Sequence, residues 1–248
     1  MKVEIWSDFI CPFCYIGKRR FEQALERFPH RSELQIEYRS FELDPRSKRD
    51  LQGDIHDMLS AKYGMSREQA KAANANVGEQ AKSVGLAFHF DTMKPTNTFD
   101  AHRLAHLAGR YGKSAEMTER LLYAYFTESA HLGDREVLTA LAAEVGLDRE
   151  EAARYLSTEE GSDEVRADEQ EAAALGVRGV PFFVINRKYA ISGAQPADVF
   201  VDTLLKAWQE EHPLVFVNGA EGAGSDGFCE DGVCAVPPTP EIDKGSSN

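Results

Sequence analysis

Cys11 and Cys14 bracket Pro12 and Phe13 directly after the first apolar run of the chain. This Cys-x-x-Cys spacing suits reversible dithiol/disulfide exchange, because the turn closes an intramolecular bond with little chain movement. Residues 2–7 alternate polar and apolar as a strand does, and a helical pattern begins at Pro12. The pair therefore falls at the mouth of a helix. Unpaired N–H groups and the positive end of the helix dipole favour a thiolate there, and the thiolate is the reactive form. Cys11 is expected to be the exposed nucleophile. Cys14, one turn in, is expected to be the shielded resolving thiol. Spacing alone also fits an inert buried pair or half of a zinc site.

A second pair, Cys229 and Cys234, flanks Glu230-Asp231-Gly232-Val233 in a Gly-rich tail. The glycine permits a tight loop, so the pair could form its own disulfide and exchange with Cys11/Cys14 as a relay or regulatory dithiol. The acids between them disfavour a nearby thiolate. A passive tail disulfide or two free thiols fit the residues equally well. Four cysteines could also hold zinc, but a Cys-x2-Cys and a remote Cys-x4-Cys suit a compact knuckle poorly. No metal and no other cofactor is expected.

The other constellations are weaker. His102 and His106 share one face of a helix, without the glutamate of a metalloprotease motif. Structural roles are expected for both, with His102 a candidate to line a cleft. No phosphate loop, nucleophile elbow or paired-carboxylate signature stands out. Phe9, Phe13, Tyr15, Phe182 and Phe183 crowd the two segments around Cys11 and Pro181. Most are expected in the core, and one or two on an apolar rim that grips polypeptide.

The elements that must position these groups follow from periodicity. Strand 2–7, helix 12–28 and strand 34–41 form a βαβ unit, expected right-handed and parallel. Residues 50–175 carry helix-period apolar positions, divided by Gly64, Gly85, Pro95, Gly112, Gly133 and Gly146 into helices near 54–62, 66–84, 98–111, 114–129, 134–145, 148–156 and 161–175. Strands return at 181–185 and 189–192 around the turn Asn186-Arg187-Lys188, followed by a helix at 196–210. The fold class is α/β. One discontinuous α/β domain is expected from residues 1–48 and 176–217, with an all-helical domain inserted at 49–175. Residues 218–248 read as an acidic tail, and the apolar segment 214–217 is expected to dock on the body.

The 248 residues carry a net charge of −13, and residues 209–248 hold eight acids against Lys244 alone. That balance argues against nucleic-acid and anionic-membrane partners, which require basic surface. No run reaches the length of a membrane helix, and Met1-Lys2-Val3-Glu4-Ile5 enters a strand without a signal-peptide core. A cytoplasmic location is therefore expected. Paired cysteines in that compartment are more often redox-active or metal-binding than structural.

Several motifs together resemble the DsbA family of thioredoxin-like proteins, and within it the FrnE-type branch. They are Cys11-Pro12-Phe13-Cys14 with Tyr15-Ile16-Gly17, Arg39-Ser40-Phe41-Glu42-Leu43-Asp44-Pro45, Asn97-Thr98 with Ala101-His102-Arg103, Gly179-Val180-Pro181-Phe182-Phe183, and Ile191-Ser192-Gly193-Ala194-Gln195. The likeness spans about residues 1–210. It implies a thioredoxin-like fold with a helical insertion, Cys11 as nucleophile and Cys14 as resolver. It also implies a cis Pro181 beside the dithiol, and a Val180 whose main chain holds extended substrate, with Pro12 and Phe13 at the same site. Protein dithiols or disulfides are the implied substrates, with a cellular thiol reductant as a further partner. Two alternatives stand beside this reading. One is a glutathione-dependent isomerase or transferase, whose relatives usually carry Ser at the first position. The other is a holdase-type chaperone or zinc-stabilised binding module.

Overall fold

A computed structural model describes residues 1–213, together with the backbone of 229–230 and 233–234. Strand β1 (Lys2–Ser7) leads into helix α1 (Pro12–Arg27), and β2 (Gln35–Ser40) returns parallel to β1. Seven helices follow: α2 (Ile55–Tyr63), α3 (Arg67–Lys82), α4 (Phe99–Arg110), α5 (Ser114–Phe126), α6 (Arg135–Glu144), α7 (Arg149–Ser157) and α8 (Ser162–Ala174). The hairpin β3 (Phe182–Ile185) and β4 (Tyr189–Ser192) then completes a mixed sheet in the order β2-β1-β3-β4, and α9 (Ala197–Glu211) packs on α1. The expected strands and helices are all present, with no end moved by more than three residues. The largest shift is in α5, expected to reach 129. It stops at Phe126 because Ser129 takes a left-handed conformation, φ 57°, which L-residues do not propagate as a helix.

Met1–His212 form one compact unit with two main apolar clusters. Val3, Ile5, Phe21, Phe183, Phe200 and Leu204 fill the space between sheet, α1 and α9. The inner faces of the helical insertion form the second cluster, which Phe9, Tyr15 and Ile16 enter from the dithiol segment. The residues around the cysteines are thus shared between both cores. The turn from β3 to β4 is local in origin: Asn186 and Arg187 both adopt positive φ, and the Asn186 side chain accepts from the Lys2 amide at 2.8 Å.

Two carboxylates, one buried and one half-buried, tie the insertion to the rest. Asp168 of α8 accepts from the Ser40 amide at 2.8 Å and from Arg39 at 3.0 Å, and lies 3.2 Å from His106 Nε2. Glu119 of α5 accepts from the Tyr15 hydroxyl at 2.6 Å and from Lys18 and Arg19, all on α1. Burial would raise the Glu119 carboxyl. Arg19, Lys18 and Tyr15 overcome it and bring the group down to about 2.

In the second unit, Cys229–Glu230 and Val233–Cys234 form a short antiparallel ladder with Cys229 opposite Cys234. The apolar segment 214–217 and the rest of the tail lie outside the described residues. Among the described residues no helix is long and apolar enough to cross a membrane.

The depressed Glu119 carboxyl makes the α1–α5 contact acid-labile. Its contribution is complete above the unfolded value near 4.5 and disappears as pH falls toward about 2. Glu119→Gln should cost on the order of 2 kcal/mol at neutral pH and flatten the acid limb of stability, read by urea unfolding at a series of pH values. An unchanged acid limb would show that the contact contributes nothing.

Candidate active site

The chain turns sharply between β1 and α1. The Cys11 amide donates to the Asp8 carbonyl at 3.1 Å, and Cys11 itself takes the N-cap position in extended conformation. Pro12 begins the helix, where its missing N–H leaves no bond unmade. The Cys14 amide closes the first turn on the Cys11 carbonyl at 3.0 Å. Both cysteines carry free thiols.

Across the sheet, β1 pairs antiparallel with β3, with Trp6 opposite Phe182. This register brings the segment before Phe182 alongside the segment after Trp6. The Cys11 thiol therefore meets the Val180 carbonyl, donating at 3.5 Å, and the Val180–Pro181 peptide bond is cis. Gly17, one helical turn beyond Cys14, lies beneath Pro181. A Cβ at that position would stand 2.9 Å from Pro181 Cγ and 3.5 Å from Ala194. In the sequence Gly17 stands only as the end of the segment Cys11–Gly17. Its packing role has no signal in composition or period, since it depends on contact with a residue 164 positions away.

One expectation needs correction. Cys11 is not openly exposed: it retains 4 % of its surface and Cys14 retains 2 %. The Val180 carbonyl lies against the first sulfur. The exposed apolar group is Phe13, 39 % accessible between the two cysteines, while Phe9, Tyr15 and Phe183 are core. Burial pushes the Cys14 thiol well up, and the adjacent Cys11 adds to this. Hydrogen bonds from the Ser7 side chain and the Asp8 amide, the latter at 3.4 Å, oppose it. The two thiols are thus unequal: one lies at the helix mouth under the Val180 carbonyl, and the other lies behind it with its pKa raised by burial.

The remaining candidates separate from this centre. His106 belongs to the Asp168 cluster. His102 is buried behind the dithiol with Nε2 at 3.4 Å from Asp8. Cys229 and Cys234 are described in backbone only. Among the described residues no group of three or more His, Cys, Asp or Glu is arranged to hold a metal.

Comparison with known proteins bears on the family and the fold. The profile of the DSBA-like thioredoxin domain matches residues 2–205. The chain belongs to the DsbA-like thioredoxin family. Its fold is similar to the crystal structure of a probable DsbA oxidoreductase from Streptomyces coelicolor, at 46 % identity and a TM-score of 0.82 over 96 % of this chain and 100 % of that one. An uncharacterized protein of Bacillus subtilis, YwbO, is 30 % identical over 80 % of this chain and 92 % of its own length. The cytosolic disulfide reductase DsbM of Pseudomonas aeruginosa shares the fold, with a TM-score of 0.59 and 18 % identity over 83 % and 99 % of the two chains.

Gly17→Ala should push Pro181 away from the dithiol. The expected cost is about 1–3 kcal/mol of stability, the range for overpacking a filled site, with a fall in exchange rate at Cys11. Thermal unfolding and thiol-exchange kinetics check both. Wild-type values in each would show that the proline ring adjusts freely.

Proposed function

We propose that this protein is a protein thiol-disulfide oxidoreductase that uses Cys11 as nucleophile and Cys14 as resolving thiol. The observation that carries this reading is the inequality of the two free thiols, one beneath the Val180 carbonyl at a helix N-terminus and one buried behind it. The Cys11 thiolate attacks a substrate disulfide. One substrate sulfur leaves as thiolate and takes a proton from water, while the other remains bonded to Cys11. Cys14 then loses its proton and attacks the Cys11 sulfur. The Cys11–Cys14 bond forms, the bond to substrate breaks, and the reduced substrate leaves with the electron pair of that bond. Run backwards, the same steps oxidise a dithiol. A mixed disulfide that re-forms elsewhere on the substrate gives isomerisation.

Val180 and Pro181 bind the extended substrate segment, through main-chain groups at the end of β3. Pro12 fixes the turn that sets the sulfur spacing, and exposed Phe13 offers an apolar contact beside the reacting bond. The substrates are disulfides or dithiols of other polypeptides, with a cellular thiol as reductant and no metal or organic cofactor. Cytoplasmic reduction or isomerisation suits a chain that shares its fold with a cytosolic disulfide reductase. Cys229 and Cys234 are register partners in a two-stranded ladder, a pairing that suits a second dithiol exchanging with the first. Retention of both active-site cysteines favours this chemistry over glutathione-dependent isomerisation, which needs no resolving thiol.

Cys11→Ser should abolish reduction of a disulfide-bonded test protein. Cys14→Ser should accumulate mixed disulfides, visible as adducts on non-reducing gels. Full activity in Cys11→Ser would exclude the mechanism.

A further inference from the structure

The segment that faces Cys11 lies at the end of the hydrogen-bonded sheet. The β1–β3 and β3–β4 ladders both stop at Phe182, which is opposite Trp6 on one side and Ser192 on the other. Val180 and Pro181 lie beyond them, and a Cβ at the neighbouring Gly179 would meet nothing within 4 Å. What holds this segment comes from the α1 side. The Gly193 amide donates to the Pro181 carbonyl at 2.8 Å, and the Pro181 ring sits over Gly17. The position of Val180 therefore depends on where Gly193 and its neighbours are held.

Gly193, Ala194 and Gln195 form a tight bend after β4. Gly193 takes φ 79°, a conformation that favours glycine. The Gln195 amide donates to the Gly193 carbonyl at 2.9 Å and the Gln195 side chain to the Ser192 carbonyl at 2.9 Å, so both bonds stay within the bend and its approach. One side chain ties the bend to α1: Arg20 donates to the Ala194 carbonyl. Arg20 is half-buried and forms no ion pair among the described residues, whereas Lys18, Arg19 and Arg27 on the same helix each pair with a carboxylate. The guanidinium fork is matched to carboxylates. Its use here on a lone carbonyl calls for a reason other than charge balance.

We propose that Arg20 is a positioning residue for polypeptide substrates: through Ala194 and Gly193 it braces the Val180–Pro181 segment against the helix that carries the dithiol. The inference rests on the reading of Cys11, Val180 and Pro181 given above. Cys11 caps α1 and Arg20 lies in its third turn, so both belong to one rigid element. The brace therefore places the sulfur and the Val180 main chain in one frame, with the thiol 3.5 Å from the Val180 carbonyl. An extended polypeptide needs that alignment, because its main chain has to meet Val180 while its disulfide meets the sulfur. A small disulfide makes only the second contact. Arg20 bonds to neither the sulfur nor Val180. Its loss acts on alignment and selects against polypeptide substrates.

The test uses the full-length chain with Cys14→Ser, Cys229→Ser and Cys234→Ser as parent, so that Cys11 alone reacts and each reaction stops at the mixed disulfide. Two probes carry the same leaving group. One is a symmetric aromatic disulfide. The other is an unfolded polypeptide whose one cysteine is joined to the same aromatic thiol. Attack of the Cys11 thiolate forms a new S–S bond and expels the coloured aromatic thiolate, which reports the rate. Arg20→Met keeps the length of the stem and removes the donors. It should slow the polypeptide probe about ten-fold, the scale of one lost charged hydrogen bond, and leave the aromatic disulfide within about two-fold of parent. Arg20→Lys returns a donor without the planar fork and should slow the polypeptide probe by only about two- to five-fold. Arg20→Lys decides the matter if Arg20→Met fails to fold. A purely structural role would slow both probes alike. Rates that stay unchanged for both probes, or fall equally for both, overturn the brace. A parent that releases no thiolate from either probe would instead remove the reading of Cys11 as nucleophile, and the brace with it.

Discussion

The antiparallel register between β1 and β3 is the constraint on which the site depends. With Trp6 opposite Phe182, the end of one strand and the start of the other face the same edge of the sheet. Cys11 and Val180 meet there, although they are 169 residues apart in sequence. A slip of one residue would turn every side chain of β3 to the opposite face and carry Phe183 and Ile185 out of the core. The burial of those two side chains therefore also fixes the distance between a sulfur and a carbonyl. The same burial extends to α1, whose Phe21 touches Phe183 and Phe200, so that strand, helix and hairpin are clamped together.

Around that junction the helical insertion acts as a wall. Glu119 draws α5 onto α1, and Asp168 draws α8 onto the end of β2. Neither carboxylate touches the dithiol, but both hold the elements that enclose its rear. The enclosure makes the two cysteines different. Both sulfurs are buried, but one lies at a helix mouth beneath a carbonyl, whereas the other, desolvated on the inner side, resists ionisation.

Much of this was legible in the residues. Alternation marked 2–7 as a strand, although both of its faces are buried, and the turn Asn186-Arg187-Lys188 marked 189–192, which buries one face. The seven middle helices were separable because Gly64, Gly85, Gly112 and Gly146 take positive φ where helices end or turn. The dithiol was visible because its chemistry is local, confined to four consecutive residues. Features that depend on long-range contact were not visible. Gly17 looks like any helical glycine until Pro181 is seen above it. The covering of Cys11 depends on a carbonyl from the far end of the chain. Asp8 and His102 lie far apart in sequence, and only the fold brings Oδ1 and Nε2 to 3.4 Å.

The order of segments along the chain has a consequence for synthesis. The cysteine pair leaves the ribosome well before Val180 and Pro181, which emerge only after the whole seven-helix insertion. While that insertion is being made the nascent polypeptide carries the two thiols without the carbonyl that later shields Cys11. Pairing of β1 with β3 must also await closure of a very long loop, which slows assembly of the sheet. During that interval the sulfurs are open to any oxidant or stray thiol in the surroundings, and only folding closes that exposure.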